Sequence, residues 1–146
     1  MEQLGKQLSG TWLIKGTTFP LWLSNKRNTP RITYRVLEKE PLKLLDLVEY
    51  EKKGKTKQIK GVDYQREKGF LWRGNGPLKI LKSRWEVVTI KGDVLVIRFA
   101  PSLVTPAGVD ILVREGAVLP DLAKRVVQHF AVFGLTAEEI RTIQWK

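Results

Sequence analysis

Hydrophobic and polar residues alternate along much of the chain in short runs. In residues 31–36 the apolar side chains Ile32, Tyr34 and Val36 occupy every second position, the period of a strand with one buried face. Eight runs of this kind, rich in β-branched and aromatic residues, are separated by turn residues. They are residues 10–17, 31–37, 42–50, 57–65, 70–73, 84–90, 94–99 and 109–114. The pattern therefore predicts an all-β fold.

The connections between these runs alternate in length. Three are short enough for tight hairpins, namely residues 38–41, 66–69 and 91–93. The alternate connections are mostly longer: residues 18–30, 51–56, 74–83 and 100–108. Successive turns of an up-and-down barrel fall at opposite ends, so one end should be closed by hairpins and the other ringed by loops. We predict an eight-stranded antiparallel up-and-down β-barrel, one domain over residues 1–146, with a ligand mouth.

After the last strand the hydrophobic period becomes that of a helix. Pro120 and Asp121 suit its first turn, and Gly134 supplies a stop. The expected apolar stripe consists of Leu122, Ala123, Val126, Val127, Phe130 and Phe133. We expect this C-terminal helix to pack outside the barrel.

Two further signals lie near the C-terminus. Thr136 and Glu139 have the spacing of a capping box, which predicts a second short helical turn. Residues 143–145 follow it and are expected to form a short final strand paired with the first strand.

The order of these elements, with Gly10-Thr11-Trp12 at the head of the first strand and Arg114 at the end of the last, resembles that of the lipocalins. The C-terminal third, from residue 109 onward, is similar to the bacterial and apolipoprotein-D-like branch. The resemblance implies that Gly10, Trp12 and Arg114 are structural: the indole closes the barrel floor and the guanidinium lies across it. Such a cation–π contact is worth about 0.5–2 kcal/mol. The family's middle signature, Thr-Asp-Tyr, is missing, and residues 89–93 occupy its place.

The inward positions predict an apolar interior, which either encloses a cavity or is filled by side chains. If Trp12 faces inward, alternation also turns Ile14 and Gly16 inward, and later strands offer Val87 and Val96. The candidate ligand-binding residues are Ile14, Phe19, Trp22, Ile32, Tyr34, Val36, Trp72, Arg73, Arg84, Trp85 and Phe99. Among them Tyr34, Arg73 and Arg84 are candidate head-group anchors, because a guanidinium binds a carboxylate or phosphate bidentately.

The net charge of +11 changes the expected ligand. Residues 24–60 contain eleven Lys or Arg against five Asp or Glu, so the excess belongs to the central strands and their loops. The basic residues of the predicted mouth are Lys26, Arg27, Lys52, Lys53, Lys55, Lys57, Lys79 and Lys82. A cationic rim around an apolar opening suits a fatty acid or another lipid with an acidic head, whose tail gains about 0.8 kcal/mol per buried methylene.

The same charge leaves two other partners open. Aromatic and basic residues interleave in residues 72–76 and 82–85, a pattern typical of single-stranded nucleic-acid binding. Alternatively, the apolar residues 19–23, followed by Lys26 and Arg27, could dip into an anionic membrane.

Evidence for catalysis, a metal or a cofactor is slight. The chain has no cysteine and one histidine, His129, which is expected at the surface. No catalytic motif is recognisable, and Asp63 and Asp110 are interpreted as turn or cap residues, although either could be a buried acid. We therefore predict a binding protein with no catalytic residues, metal or cofactor, although a few lipocalins are isomerases.

Targeting signals are also missing from the sequence. No run approaches the roughly 18 to 20 apolar residues of a membrane span. Residues 1–6 do not resemble a secretory leader, so a cytoplasmic location is expected, although a leader already removed would leave the same sequence.

Overall fold

The chain forms a barrel of strands with helices at both ends of the sequence. A computed structural model describes residues 2–23, 26–76, 82–102 and 106–146. The strands are β1 (Gly10–Thr17), β2 (Asn28–Lys39), β3 (Leu42–Lys52), β4 (Lys55–Gln65), β5 (Phe70–Gly74), β6 (Lys82–Lys91), β7 (Val94–Phe99), β8 (Gly108–Arg114) and β9 (Gln144–Trp145). The helices are α1 (Glu2–Leu8), α2 (Pro20–Leu23), α3 (Leu122–Gln128) and α4 (Ala137–Thr142).

Strands β1 to β8 pair antiparallel in chain order. Strand β1 pairs with β2 on one side and with β8 on the other, so the sheet closes on itself. Strand β9 joins the far part of β1, opposite Gly16 and Thr17. The predicted eight-stranded up-and-down barrel and its final strand are confirmed. The bounds predicted for β1 and β7 agree with the structure, β2 to β6 and β8 are longer than predicted, and β9 is one residue shorter.

The connection between β3 and β4 is shorter than predicted. The two strands pair as far as Lys52 and Lys55, so that Lys53 and Gly54 alone make the turn. Both residues have positive φ, 53° and 75°, as a two-residue hairpin turn of the right twist requires. The prediction of a long mouth loop at residues 51–56 was wrong, because strand pairing continues into the polar residues.

Two apolar layers lie on the two faces of the sheet. The inner layer fills the lower barrel and includes Leu44, Leu95 and Leu112. The outer layer lies between β7–β8 and the C-terminal segment and includes Ile111 and Val126. Val96 belongs to the outer layer, so its predicted inward orientation was wrong by one residue.

Strand β1 contains a bulge that reverses its faces. Its register with β8 shifts between Ile14 and Gly16. Ile14 still faces the interior, whereas Gly16 faces outward against Trp145, and Thr17 turns inward. The predicted inward position of Gly16 was wrong because an extra residue in one strand interrupts the alternation.

The floor of the barrel is built by α1, which the sequence analysis did not predict. Leu8 is fully buried in the inner layer, and its carbonyl oxygen accepts a hydrogen bond from Trp12 Nε1 at 2.9 Å. The Arg114 guanidinium carbon lies 4.1 Å from the Trp12 ring centroid. Its nitrogens donate to the carbonyl oxygens of Ser9 at 2.9 Å and Gln7 at 2.8 Å. Arg114 thus joins α1, the tryptophan and the end of β8, as the resemblance implied.

The C-terminal helix is shorter than its apolar stripe predicted. Helix α3 begins at Leu122, after Pro120 and Asp121, and ends at Gln128, so Phe130 and Phe133 lie in the turns that follow. Leu122, Val126 and Phe133 are buried against the barrel, but Val127 is 46% exposed and does not belong to the buried stripe. The capping box of Thr136 and Glu139 is confirmed at the start of α4.

Gly134 provides a first prediction, for stability. Its φ is +77°, and an added Cβ would lie 2.5 Å from Val88 Cγ1. Gly116 is the matched control, because its φ is +90° and nothing lies within 4 Å of an added Cβ. We expect Gly116→Ala to cost about 1 kcal/mol for the left-handed backbone alone, and Gly134→Ala about 2–3 kcal/mol, since the overpacking adds to it. Urea denaturation measures both. Equal losses would contradict the steric contribution.

Candidate ligand-binding cavity

The mouth half of the barrel encloses a cavity of about 310 Å³. Its lining comes from α2, the loops at the mouth and seven of the eight barrel strands. The lining residues are Phe19, Leu21, Trp22, Ile32, Tyr34, Asp46, Val48, Ile59, Trp72, Lys82, Ser83, Trp85, Ile97, Phe99, Ser102 and Asp110. Apolar and aromatic side chains dominate this wall, as in pockets that hold small organic molecules.

A larger hollow of about 710 Å³ lies outside the barrel, beside α4. Arg84, Arg98 and Glu139 contribute to its wall, and Arg98 is joined to Glu139 by hydrogen bonds of 2.7 and 2.8 Å. It lies between the outer face of the barrel and α4, and charged residues, among them Lys68, Arg84 and Glu138, form much of its wall. The apolar cavity inside the barrel is therefore the better candidate for a ligand site.

Seven of the candidate ligand-binding residues line the cavity. They are Phe19, Trp22, Ile32, Tyr34, Trp72, Trp85 and Phe99. Ile14 is buried in the core below the cavity, and Val36 packs near Gly5 of α1, so neither lines it. Arg73 and Arg84 are exposed, which corrects their assignment as anchors inside the barrel. The reason is the strand period: Trp72 and Trp85 face inward, so the residues beside them face outward.

An aromatic stack forms the cavity wall around Trp85. Its ring stacks with Tyr34 at 5.6 Å and with Phe70 at 4.7 Å between centroids, both at 21° between planes. Its Nε1 donates to Asp63 Oδ1 at 2.9 Å, which fixes the indole in its plane. These side chains present a flat, rigid surface to the interior.

Residues 19–23 cover the mouth and do not protrude from it. Trp22, on the short helix α2, is 3% exposed and meets the Tyr50 ring edge-on at 5.5 Å. The Phe19 ring lies 4.9 Å from that of Phe99, and the Lys146 ammonium donates to the Trp22 carbonyl oxygen. The prediction that this segment is a membrane anchor is not supported, because Trp22 is buried in the barrel mouth and Phe19, Leu21 and Leu23 are half-buried.

Three aspartates lie inside the barrel. A buried acid was the alternative interpretation of Asp63 and Asp110 in the sequence analysis, whereas Asp46 was not singled out there. Asp46, Asp63 and Asp110 are buried, at 6%, 0% and 3% exposure. Asp46 and Asp110 line the cavity, and Asp63 lies behind Trp85. The interpretation of Asp63 and Asp110 as turn or cap residues was wrong. Strand parity was the available signal, since Asp46 continues the inward positions of Leu42 and Leu44.

Asp46 and Asp63 are neighbours across two strands. Asp46 pairs with Gly61 and Leu44 pairs with Asp63, so the two acids are diagonal partners on the inner face. Their side chains are hydrogen-bonded to each other, which requires one proton between them. With both carboxyls ionised, Asp46 Oδ1 and Asp63 Oδ2 have no hydrogen-bond donor in the described part of the chain.

Burial controls the protonation of these acids. Desolvation raises the pKa of Asp46 to about 6, although its hydrogen bond with Asp63 lowers it. Desolvation, together with the charge of Asp46, raises the pKa of Asp63 well above its ordinary value. Near neutral pH the pair therefore holds one proton and one negative charge. Desolvation also raises the pKa of Asp110 to about 7, against a hydrogen bond of 2.6 Å from Thr17 Oγ1.

Tyr34 pairs with Asp46 across strands β2 and β3, so the same buried charges act on its hydroxyl. Burial raises the pKa of Tyr34 well above its ordinary value, and the charges of Asp46, Asp63 and Asp110 raise it further. Tyr34 is therefore a neutral hydroxyl at any physiological pH.

Lysines lie around the mouth, as predicted. Lys26, Lys52 and Lys53 line a shallow hollow at the rim, and Lys82 reaches the cavity edge. Lys79 lies outside the described residues. Within the described ranges, His, Asp and Glu side chains nowhere assemble in the groups of three that would hold a metal. None of the helices described is both long and apolar enough to span a bilayer.

Comparison with known proteins identifies the fold. No protein-family model matches the sequence, and no curated protein matches it in sequence. Lobster apocrustacyanin A1 superposes with a TM-score of 0.66 at 8% identity, over 97% of this chain and 77% of that one. The siderocalin Ex-FABP gives a TM-score of 0.64 at 12% identity, over 94% and 91%.

A third solved structure, the bovine lipocalin allergen Bos d 2, has a TM-score of 0.59 at 13% identity, over 97% of this chain and 93% of that one. The chain therefore has the lipocalin fold over nearly its whole length. At these identities the likeness concerns the fold, and the finer resemblance to the bacterial and apolipoprotein-D-like branch stays a prediction.

Proposed function

We propose, on the premise of the lipocalin fold and its interior cavity, that this protein binds a small hydrophobic molecule for transport or storage. The observation that carries the proposal is the enclosed space of about 310 Å³ with aromatic walls. Soluble domains pack their interiors with few voids larger than a water molecule. A hollow of this size inside an otherwise well-packed barrel is better explained by a ligand than by imperfect packing.

The size of the cavity limits the ligand. Its volume of about 310 Å³ corresponds to about ten water-sized groups, at the small end of natural ligand sites. A chain of about eight carbons fits this space. At about 0.8 kcal/mol per buried methylene, its transfer contributes about 6 kcal/mol, which corresponds to a Kd between about 1 µM and 1 mM.

A fatty acid or other lipid with an acidic head was the ligand predicted from the sequence. The lysines of the rim support it, because Lys26, Lys52 and Lys53 lie at the mouth. Against an acidic head inside the barrel stand the exposed positions of Arg73 and Arg84 and the burial of Asp46. A carboxylate head would have to stay at the rim, with only its tail in the cavity.

The other partners predicted from the sequence have less support. Trp72 and Trp85 line the interior, so neither ring offers a surface on which nucleotide bases could stack. Trp22, on helix α2 at the mouth, is buried, so it cannot enter a bilayer without opening the barrel. The net positive charge is the argument that remains for nucleic acid or an anionic membrane as the partner, and it does not distinguish between the two.

Two neighbouring residues of β6 allow a direct test. Ser83 lines the cavity and Arg84 is exposed on the opposite face. In Ser83→Trp the indole should occupy the space of two or more methylenes, lowering the affinity for 1-octanol about tenfold or more. The matched variant Arg84→Trp should bind octanol like the wild type. Isothermal titration calorimetry measures both affinities, and a titration of tryptophan fluorescence measures them a second time.

Two results would overturn the proposal. One is that the wild-type protein binds none of octanol, octylamine and octanoate. The other is that Ser83→Trp and Arg84→Trp affect octanol equally, which would place the ligand outside the barrel.

A further inference from the structure

The barrel interior is acidic, although the surface is basic. Asp46, Asp63 and Asp110 are the charged groups buried within the described residues. In that part of the chain the ion pairs of Arg31, Arg98 and Arg114 go to glutamates and to Asp93, and none reaches these three aspartates. Among the residues that the structure describes, no basic side chain acts on the pKa values of these aspartates. Within the same residues, the negative charge of the interior therefore has no ion-paired base.

A buried carboxylate without a partner is costly, and protein interiors usually pair it or keep it neutral. The Asp46–Asp63 pair is neutralised only by half, because one proton between two carboxyls leaves one negative charge. Asp46 is 6% exposed and lines the cavity, so the negative charge of the pair lies at the cavity wall. A single positive charge placed in the cavity beside Asp46 would neutralise the pair.

The residues around this position fit an ammonium group with an apolar body. The stacked rings of Tyr34 and Trp85 lie on the same inner wall, and an aromatic face attracts a cation. Lys82 is exposed at the mouth, so its ammonium stays in water, where a charged group is more stable than in the barrel. The cation must therefore come from the ligand.

We propose that the ligand of this cavity is a hydrophobic amine, bound as its ammonium ion by the Asp46–Asp63 pair. This inference rests on the proposed function and names the chemical class of its ligand. The proposed ligand is a cation, whereas the basic composition of the chain suggests an anionic ligand. The difference arises because the ligand meets the residues of the inner face of the barrel. The lysines of the surface contribute to the net charge of +11, and Lys82 among them borders the cavity at its mouth.

Three ligands with the same eight-carbon chain test the proposal. Octylamine, 1-octanol and octanoate differ only in the charge of the head group. At pH 7.5 the wild-type protein should bind octylamine about ten- to a hundredfold more tightly than octanol, as expected for a buried hydrogen bond to a charged group. Octanoate should bind no more tightly than octanol. If octanol binds and octylamine shows no preference, the amine proposal fails while the proposed function stands.

The double variant Asp46→Asn, Asp63→Asn locates the charge. Two amides keep the size of the pair without its charge, so octylamine should fall to the affinity that octanol shows in the same variant. Asp121→Asn, an exposed aspartate whose side chain makes no capping bond, is the matched control and should retain the full preference. A preference that survives the double variant, or that is lost only in Asp110→Asn, would overturn the assignment to Asp46 and Asp63.

The pH dependence in the wild type provides a measurement that needs no variant. Octylamine, like lysine with its ordinary pKa of about 10.4, stays protonated between pH 5 and 8. Its affinity should rise over this range as the Asp46–Asp63 pair ionises, with Tyr34 neutral and Asp110 and Lys82 the other titratable groups at the cavity wall. The affinity of octanol should stay constant. A flat profile for octylamine would contradict the role of the pair.

Discussion

Trp12→Ala is expected to remove about 3–5 kcal/mol from the free energy of unfolding, a large part of the total stability of a domain of this size. Trp12 is fully buried at the floor of the barrel. Its truncation leaves a cavity between α1 and the inner layer, and it breaks the hydrogen bond to the Leu8 carbonyl oxygen. The Arg114 guanidinium loses the ring on which it lies at 4.1 Å. Urea denaturation at low temperature measures the loss.

Trp72→Ala is the control for this experiment. Trp72 is half-buried and already borders the ligand cavity, so its truncation enlarges an existing space and should cost about half as much or less. If Trp12→Ala does not fold, Trp12→Phe keeps the ring contact and should show a smaller loss of about 1–2 kcal/mol. A loss in Trp12→Ala no larger than that in Trp72→Ala would mean that the floor is not a main source of stability.

The stability of the wild-type protein should fall as the pH rises from about 4 to about 7. Burial raises the pKa of Asp110 to about 7 and that of Asp46 to about 6, whereas an aspartate in the unfolded chain titrates near 3.9. Between these values the folded state holds more protons than the unfolded state, so the free energy of unfolding decreases as the pH rises. Asp63, whose pKa burial raises well above its ordinary value, continues this decrease at higher pH. Glu139, whose pKa is lowered mainly by its hydrogen bond with Arg98, acts oppositely but only in more acidic solution.

Asp110→Asn should remove part of this dependence. The amide oxygen still accepts from Thr17 Oγ1, and no charge has to be buried at high pH. Since the pKa of Asp110 lies near 7, we expect the variant to be more stable than the wild type by about 2–3 kcal/mol at pH 8, after the cost of burying the amide. At pH 4, where the aspartate in the folded protein is protonated, the variant should be less stable than the wild type by about 1 kcal/mol, the cost of burying the amide. Thermal and urea unfolding at both pH values measure the difference.

The control is Asp121→Asn, which removes an exposed carboxylate and should leave the pH profile unchanged. A profile for Asp110→Asn that runs parallel to that of the wild type would show that Asp110 is not protonated by burial.

The strands were predictable because their signal is local. A period of two in residues 31–36 marks one buried face wherever the segment lies in the barrel, and the turns between strands are encoded by a few polar residues. The capping box of Thr136 and Glu139 is equally local, since both of its hydrogen bonds join residues three apart. The Trp12–Arg114 contact was accessible through the resemblance to lipocalins.

The cavity was predicted less completely. Five of its aromatic and apolar residues lie on strands and were predicted from the strand pattern, and Phe19 and Trp22 from the apolar mouth loop. The bulge in β1 moved Gly16 to the outer face, and Val96 was placed on the wrong side. An extra residue in one strand is stabilised by its partner strand, so the sequence of that strand alone does not reveal it. Helix α1 was missed because seven residues contain too little of the helical period to recognise.

The sequence by itself therefore determined the number and order of the strands, the end of the barrel at which the tight hairpins lie, and the excess of basic residues. The tertiary structure decided what the barrel contains. An aspartate in a strand has the same sequence signal whether it faces water or the interior. The pairing of β3 with β4 brings Asp46 and Asp63 together, and the closed barrel removes the water around them. The charge inside is set by which residues meet across the barrel and by how much solvent the barrel excludes, and both are properties of the assembled fold.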